Sequence, residues 1–237
     1  MRIWSLLLTT IIAVRPAAVR AEQPAADSRP LRIVILGDST VCDYPADSTI
    51  RGCGQLLGEG FKKPVTIRNL AVSGRSTKTF IKEGRLKKAL DEPADFALIQ
   101  FGHNDSHGKD RPESTDAETD YKEFLRTYVD AFLKAGTQPI LVTAMHRRTF
   151  KQGKLTEELR PYAEAMQAVA AEKKVPVVDL YALSGGLFEK LGDEGSADLT
   201  CSPKDRTHFS EKGARAMAGL VLGELKNADP RLRDAIK

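Results

Sequence analysis

The sequence is poor in cysteine, histidine and tryptophan. Its 237 residues include three cysteines (Cys42, Cys53 and Cys201), four histidines and a single tryptophan. The cysteines form neither a Cys-x-x-Cys pair nor a zinc-ligand spacing, so no metal and no other cofactor is expected. Their odd number leaves at least one thiol over, and whether any two of them form a disulfide stays open at this point.

A basic run interleaved with aromatic residues is also absent, which argues against a nucleic-acid partner. The formal net charge of +4 includes Arg2, Arg15 and Arg20, and removing these three residues with the first 21 leaves +1. A charge this small gives no electrostatic reason to bind nucleic acid.

The apolar run at the amino terminus is too short to cross a membrane. It covers residues 3–14, whereas a transmembrane helix needs roughly 20 apolar residues. A basic start, a short apolar run and the small residue Ala21 together describe a secretory signal peptide over residues 1–21. We therefore expect export to the periplasm or the extracellular space after cleavage near Ala21, with no stable membrane association.

The remaining chain reads as strands that alternate with helices. Residues 22–30 predict a flexible leader, and no repeat or composition break divides residues 31–237. Strands are predicted over residues 31–36, 65–72, 96–101, 139–143 and 175–180. Helices are predicted over residues 52–61, 81–90, 119–135, 159–173, 182–191 and 210–227, with a surface loop over 106–118. This alternation predicts an α/β fold, a single-domain three-layer sandwich with a five-stranded parallel sheet flanked by helices.

Four short strings contain the groups needed for acyl transfer through a covalent serine intermediate. Three of them follow predicted strands, where parallel sheets bind their ligands. The fourth precedes the last helix. The strings are residues 37–40 (Gly-Asp-Ser-Thr), 71–75 (Ala-Val-Ser-Gly-Arg), 102–105 (Gly-His-Asn-Asp) and 205–208 (Asp-Arg-Thr-His).

Each candidate residue has a catalytic and a purely structural interpretation. Ser39 is the candidate nucleophile, His208 the base and Asp205 the acid that orients the imidazole. The N–H groups of Ser39 and Gly74 and the side-chain amide of Asn104 are candidate oxyanion donors. Alternatively, Ser39 caps a helix or a turn, and Asp205 and His208 form a local pair on the surface. In the same structural interpretation, Gly74 allows a turn and the Asn104 side chain stabilises its own loop. The occurrence of all parts in order favours the catalytic interpretation.

These strings resemble the blocks of the SGNH (GDSL-type) hydrolases, whose serine, glycine, asparagine and histidine correspond to Ser39, Gly74, Asn104 and His208. Asp205 corresponds to the acid of the triad. Longer matches around residues 74–77, 83–85, 100–105 and 207–210 resemble the rhamnogalacturonan acetylesterase branch. The resemblance implies a flavodoxin-like fold and an exported, cofactor-free serine esterase. Its substrate would be an acetylated polysaccharide or oligosaccharide, and the branch resembled points to pectic rhamnogalacturonan.

The part of the pocket that would bind sugar is less well defined by the sequence. Relatives often have tryptophan where this chain has Cys53, and Trp4 lies in the predicted signal peptide. Aromatic platforms could instead come from loop residues that follow strand ends, namely Tyr44, Phe80 and Phe150. The alternative is that these three side chains only pack inside the protein. Arg147 and Arg148 follow the fourth predicted strand and could pair with a uronic acid carboxylate. A salt bridge to an acidic loop is the alternative for both arginines.

Three other functions remain open at this point. The same site could serve a lipid esterase or thioesterase, or a carbohydrate O-acetyltransferase that uses an acceptor other than water. The scaffold could also be a non-catalytic carbohydrate-binding protein, although such a protein has no need of Asp205 beside His208. The oligomeric state does not follow from the sequence.

Overall fold

The chain folds around a five-stranded parallel sheet with strand order β2-β1-β3-β4-β7. A computed structural model of the chain describes residues 29–62 and 64–237. The predicted signal peptide and residues 22–28 of the predicted leader lie outside the described residues. The strands are β1 (Leu31–Leu36), β2 (Val65–Asn69), β3 (Phe96–Phe101), β4 (Gln138–Thr143), β5 (Phe150–Lys151), β6 (Lys154–Leu155) and β7 (Val177–Val178), with β5 and β6 in a separate hairpin.

Helices cover both faces of the sheet. One face packs against α1, α6, α7 and α8, and the other packs against α2, α3, α4 and α5. The helices are α1 (Cys53–Leu56), α2 (Thr77–Lys82), α3 (Arg85–Leu90), α4 (Asp120–Lys134), α5 (Arg160–Lys173), α6 (Leu180–Gly195), α7 (Glu211–Ala228) and α8 (Pro230–Ala235). The predicted three-layer α/β fold is therefore confirmed.

The central strands are mostly apolar, as expected when both faces of a sheet are covered. In β1, Ile33 and Ile35 belong to the core that faces α7, whereas Val34 and Leu36 belong to the core that faces α4. All six residues of β3 are buried. The continuous apolar runs that predicted strands reflect this burial on two sides.

Four elements differ from their predicted bounds, and local residues explain three of the differences. The helix expected over residues 81–90 is split into α2 and α3, because Gly84 adopts a left-handed φ of +72°. The fifth strand shrinks to two residues, since Pro176 has no N–H for the ladder. Asp179 then starts α6, where its side chain accepts a hydrogen bond from the Ala182 N–H at 3.2 Å. Strand β2 ends at Asn69 rather than residue 72.

The amino-terminal end of the described chain is fixed to the sheet. Arg29, within the predicted flexible leader, donates two hydrogen bonds to Asp95 at 2.6 and 2.7 Å. Residues 106–118 form no helix or strand, as expected, yet Glu113, Ser114 and Thr115 are buried. Within the described ranges, no helix combines the length and apolar character that a membrane span requires.

Candidate active site

Three side chains that are distant in sequence form one hydrogen-bonded row. His208 Nε2 lies 2.9 Å from Ser39 Oγ, and His208 Nδ1 lies 2.8 Å from Asp205 Oδ2. The imidazole therefore bridges the hydroxyl and the carboxylate, although Ser39 and His208 are 169 positions apart. The structure brings together the predicted nucleophile, base and acid.

Asp205 is held as a carboxylate by the turn on which it lies. Its Oδ1 accepts hydrogen bonds from the N–H groups of Thr207 and His208, each at 2.8 Å. Partial burial favours the neutral acid, but these two N–H donors and the His208 imidazole outweigh it and lower the pKa of Asp205 to about 2. A permanent negative charge next to Nδ1 fixes the tautomer that leaves Nε2 free to accept a proton.

The residues next to Ser39 fix the turn after β1 on which Ser39 lies. The buried side chain of Asp38 accepts hydrogen bonds from the N–H of Thr40 at 2.9 Å and from its hydroxyl at 2.8 Å. Gly37 is required here because a Cβ would lie 2.9 Å from the carbonyl oxygen of Gln100. The tight turn places Ser39 directly beyond the end of the sheet, as its position in the sequence predicted.

Three donors are available for an oxyanion. In the described part of the chain, the N–H groups of Ser39 and Gly74 donate to no protein acceptor. Asn104 Nδ2 donates one hydrogen bond to the carbonyl of Arg75 at 3.0 Å and has a second hydrogen to offer. The N–H of Val72 donates to the carbonyl of Gly37 at 3.0 Å, which ties the two loops together.

Gly74 is exposed and its backbone is left-handed. Its φ is +78°, a conformation that disfavours any residue with a side chain, and a Cβ here would meet nothing within 4 Å. The space above this peptide is therefore open, so an acyl group can approach its N–H from solvent.

Two buried groups behind the nucleophile were not predicted as site residues. His103 Nδ1 lies 3.4 Å from Asp38 Oδ2, and His103 Nε2 lies 3.0 Å from the carbonyl oxygen of Met145. Both side chains are at most 3% exposed. Asp38 and His103 lie in the same short strings as Ser39 and Asn104, and this position was the sequence signal that could have identified them.

Asp105 was also not predicted, and it fixes the loops around Asn104. Its carboxyl group accepts hydrogen bonds from the hydroxyls of Thr77 at 2.5 Å and Thr115 at 3.0 Å, and from the Thr77 N–H at 3.2 Å. Complete burial raises its pKa to about 7, although these donors act in the opposite direction. Asp105 therefore joins the start of α2 to the loop over residues 106–118.

The two candidate substrate arginines occupy different environments. Arg147 donates to the Thr207 hydroxyl and, at 3.1 Å, to the carbonyl of His103, so it lies beside the triad. Arg148 is only 2% exposed and donates to Asp193 at 2.5 Å. Arg148 thus forms a salt bridge, the alternative that the sequence had left open, and its buried guanidinium offers little surface to a substrate.

The candidate aromatic platforms also differ from one another. Phe80 is fully buried, and its ring centroid lies 5.3 Å from that of Phe101, so it is a core residue and no platform. Tyr44 is partly exposed and donates its hydroxyl to the carbonyl of Ser39 at 2.8 Å. Phe150 is partly buried against the core in the hairpin strand β5. Tyr44 is thus the candidate closest to the nucleophile.

The cysteines are free thiols in the structure. Burial raises the pKa of Cys53 to about 12, so this thiol is neutral and behaves as a small apolar side chain. Within residues 29–62 and 64–237, no group of three or more His, Cys, Asp or Glu side chains could hold a metal ion.

An imidazole between a serine and a carboxylate, with unbound N–H groups beside the serine, is the arrangement by which serine hydrolases carry out acyl transfer. The model of the GDSL-like lipase/acylhydrolase family matches residues 35–216 of this sequence. The chain belongs to this family and is a carboxylic ester hydrolase, which confirms the resemblance seen in the four strings.

Among curated proteins, the rhamnogalacturonan acetylesterase RhgT of Bacillus subtilis is 36% identical over 222 residues, covering 87% of this chain and 94% of that protein. The crystal structure of YxiM from the same organism superposes with a TM-score of 0.75 at 31% identity. That match covers 84% of this chain but only 57% of the YxiM chain.

The acetylxylan esterase Axe2 of Geobacillus stearothermophilus has a TM-score of 0.63 at 19% identity, covering 82% of this chain and 93% of that one. At this identity the likeness supports the fold alone, and the fold is the predicted one.

Proposed function

We propose that this chain is an exported carbohydrate O-acetylesterase that removes acetyl groups from rhamnogalacturonan through an acetyl-serine intermediate. The observation that carries the chemistry is the placement of His208 between Asp205 Oδ2 and Ser39 Oγ, at 2.8 and 2.9 Å. The similarity to RhgT over most of both chains supports the substrate class.

In the first half of the reaction, Ser39 Oγ attacks the acetyl carbonyl carbon while His208 Nε2 takes the hydroxyl proton. The resulting imidazolium is stabilised by the Asp205 carboxylate at Nδ1. The bond between the carbonyl carbon and the sugar oxygen then breaks, and His208 returns the proton to that oxygen. The products are the free sugar hydroxyl and the acetyl-serine.

In the second half, water takes the place of the sugar. His208 Nε2 accepts a proton from the water as its oxygen attacks the acetyl-serine, and Ser39 Oγ leaves with that proton. In both halves the negative oxygen of the tetrahedral intermediate is held by the Ser39 and Gly74 N–H groups and by Asn104 Nδ2. These donors are already in place, so little reorganisation is needed during the reaction.

The test is acetate release from acetylated rhamnogalacturonan by wild type, Ser39→Ala and His208→Ala. We expect each variant to lose several orders of magnitude in kcat, because nucleophile and base act as one unit. Ser48→Ala, outside the site, is the matched control. Mass spectrometry of a rapidly quenched reaction should detect one acetyl group on wild type and none on Ser39→Ala. Full activity of Ser39→Ala would contradict the mechanism.

The substrate class and the export need separate measurements. A series of aryl esters of increasing chain length should show a steep loss of rate beyond two carbons, whereas a lipid esterase would prefer longer chains. For export, the mature protein should begin near Glu22 when its terminus is sequenced from the exported fraction. An intact terminus retained inside the cell would contradict the predicted cleavage.

A further inference from the structure

Two arginines share one carboxylate beside the candidate oxyanion donor Gly74. Arg75 Nε lies 3.1 Å from Glu83 Oε2, and Arg85 Nε lies 2.5 Å from the same oxygen. All three side chains are partly exposed, at 33% for Arg75, 35% for Glu83 and 32% for Arg85. They are thus ordered by one another while remaining accessible from solvent.

The cluster lies directly at the mouth of the site. Arg75 follows Gly74, and its Nη1 donates to the carbonyl of Ser73 at 2.9 Å, so the guanidinium folds back over this loop. The carbonyl of Arg75 accepts the hydrogen bond from Asn104 at 3.0 Å. A group bound by the arginines is therefore close to an ester held by the oxyanion donors.

The cluster carries a net positive charge and has donors to spare. Hydrogen bonds from Arg85 and Arg75 lower the pKa of Glu83, so it is a carboxylate at neutral pH and cancels one of the two positive charges. In the described structure, Nη2 of Arg75 and both terminal nitrogens of Arg85 donate to no protein acceptor.

Other cations near the site are already engaged. Lys78 Nζ donates to the carbonyl of Ser114 at 2.5 Å, and Arg148 is buried against Asp193. Arg147 is committed to Thr207 and His103. Arg75 and Arg85, on the Gly74 side of the triad, are partly exposed cations with unsatisfied donors.

We propose that Arg75 and Arg85, ordered by Glu83, form a subsite for the carboxylate of a uronic acid in the substrate. Arginine suits this role because its planar fork of N–H donors matches the two oxygens of a carboxylate. The inference rests on the proposed function, since it assigns the part of the polysaccharide that is recognised next to the ester.

The experiment uses an O-acetylated uronic acid glycoside as the free acid and as its methyl ester. The two substrates share the acetyl group and differ in charge, so the ratio of their kcat/KM values for acetate release isolates recognition of the carboxylate. Arg85→Gln removes one positive charge from the cluster, and Glu83→Gln removes the negative one. Lys88→Gln, also on α3 but outside the cluster, is the matched control for loss of charge.

We expect wild type to prefer the free acid and Arg85→Gln to lower the ratio about three- to tenfold, the range for an exposed charge-assisted contact. Glu83→Gln should raise the ratio, because the arginines lose their competing carboxylate. Lys88→Gln should leave the ratio as in wild type. Added salt should weaken the wild-type preference through screening.

Opposite shifts in Arg85→Gln and Glu83→Gln would support the subsite, because a merely structural cluster would be impaired by both changes alike. An unchanged ratio in Arg85→Gln, or an equal drop in Lys88→Gln, would overturn it. If wild type hydrolyses both small substrates but with equal efficiency, only the subsite fails. If it releases acetate from neither substrate nor from the acetylated polymer, the proposed function fails.

Discussion

Asp38 Oδ2 and His103 Nδ1 face each other at 3.4 Å, and neither atom has a hydrogen-bond partner in the described structure. His103 Nε2 must carry hydrogen, because the carbonyl of Met145 at 3.0 Å can only accept. The contact between Asp38 and His103 ties the loop after β1 to the loop after β3, inside the protein and behind Ser39. Complete burial acts to raise the pKa of Asp38, but the nearby His103 and the donors of Thr40 outweigh it and lower this pKa.

His103→Gln should lower the free energy of unfolding by about 1–3 kcal/mol, because Asp38 Oδ2 loses its buried neighbour and only Oδ1 keeps its donors from Thr40. The double variant Asp38→Asn/His103→Gln should lose less than the two single losses added together. Urea unfolding curves of the four proteins measure this coupling.

The matched control for this prediction is His107→Gln. His107 pairs with Glu113 at 2.7 Å but is 36% exposed, so its loss should cost less than about 1 kcal/mol. Equal costs for the two histidines would contradict this prediction.

Asn104→Ala should lower kcat by about 10²–10³-fold with a much smaller change in KM, as expected for a donor that binds the oxyanion. The side chain also donates to the Arg75 carbonyl, so loop damage is the competing explanation. Ser106→Ala controls for it, because Ser106 donates to the His103 carbonyl at 2.9 Å in the same loop. A loss of similar size in Ser106→Ala would show that Asn104 acts through the loop. Steady-state kinetics on an aryl acetate measures kcat and KM of the two variants.

Asp105 should make the protein less stable as pH rises from about 4 to about 7. Its pKa is raised from 3.8 to about 7, so over this window the folded protein holds a proton that the unfolded chain has released. The stabilising contribution of Asp105 is fully present below its unfolded pKa of 3.8, and it is lost as the pH rises through its folded pKa of about 7. Asp105→Asn should therefore show a smaller drop in unfolding free energy between pH 5 and pH 8 than wild type.

Urea unfolding at the two pH values measures the drop, and groups common to both proteins cancel in the comparison. Asp116→Asn is the control, since the pKa of this exposed carboxyl is lowered and its titration lies below the window. A drop in Asp105→Asn equal to that of wild type would contradict the assignment.

Arg148→Ala should reduce the free energy of unfolding by about 2–4 kcal/mol, because it empties a buried space and removes the donor to the backbone carbonyl of Asp193. It should not change the preference between acidic and neutral substrates. Arg206→Gln is the control, because Arg206 contacts the same Asp193 oxygen at 2.5 Å but is 37% exposed. Thermal unfolding measures the stability of the two variants, and the ratio of kcat/KM for acidic and neutral substrates measures their substrate preference. A selective loss on the acidic substrate in Arg148→Ala would support its predicted role in binding.

The sheet and the triad were predictable because their signals are local. The strands are continuous apolar runs, and Ser39 and Asn104 each lie three residues beyond the end of a strand. Asp205 and His208 are separated by a single turn, which brings their side chains together whatever the surroundings. Parallel pairing then places the loops after β1 and β3 at one edge of the sheet.

What could not be predicted depends on contacts between distant segments. Arg147 and Arg148 are adjacent, yet one points to Thr207 and the other to Asp193, which is 45 positions away from Arg148. The direction of each side chain is decided by where the end of α6 packs. The short hairpin β5–β6 and the six-residue helix α8 lack the length that gives a periodic signal.

The separation of Ser39 from His208 by 169 positions has a consequence for how activity is acquired. The base is carried by a segment that packs against the start of α7, where a Cβ on Gly213 would overlap the carbonyl of Leu199. A chain that has built its sheet but has not docked α7 has a nucleophile and no base. Local opening of the carboxyl-terminal segment would likewise switch off hydrolysis while the sheet persists. Activity therefore depends on the docking of the carboxyl-terminal segment, and loss of acetate release should precede the loss of secondary structure on heating.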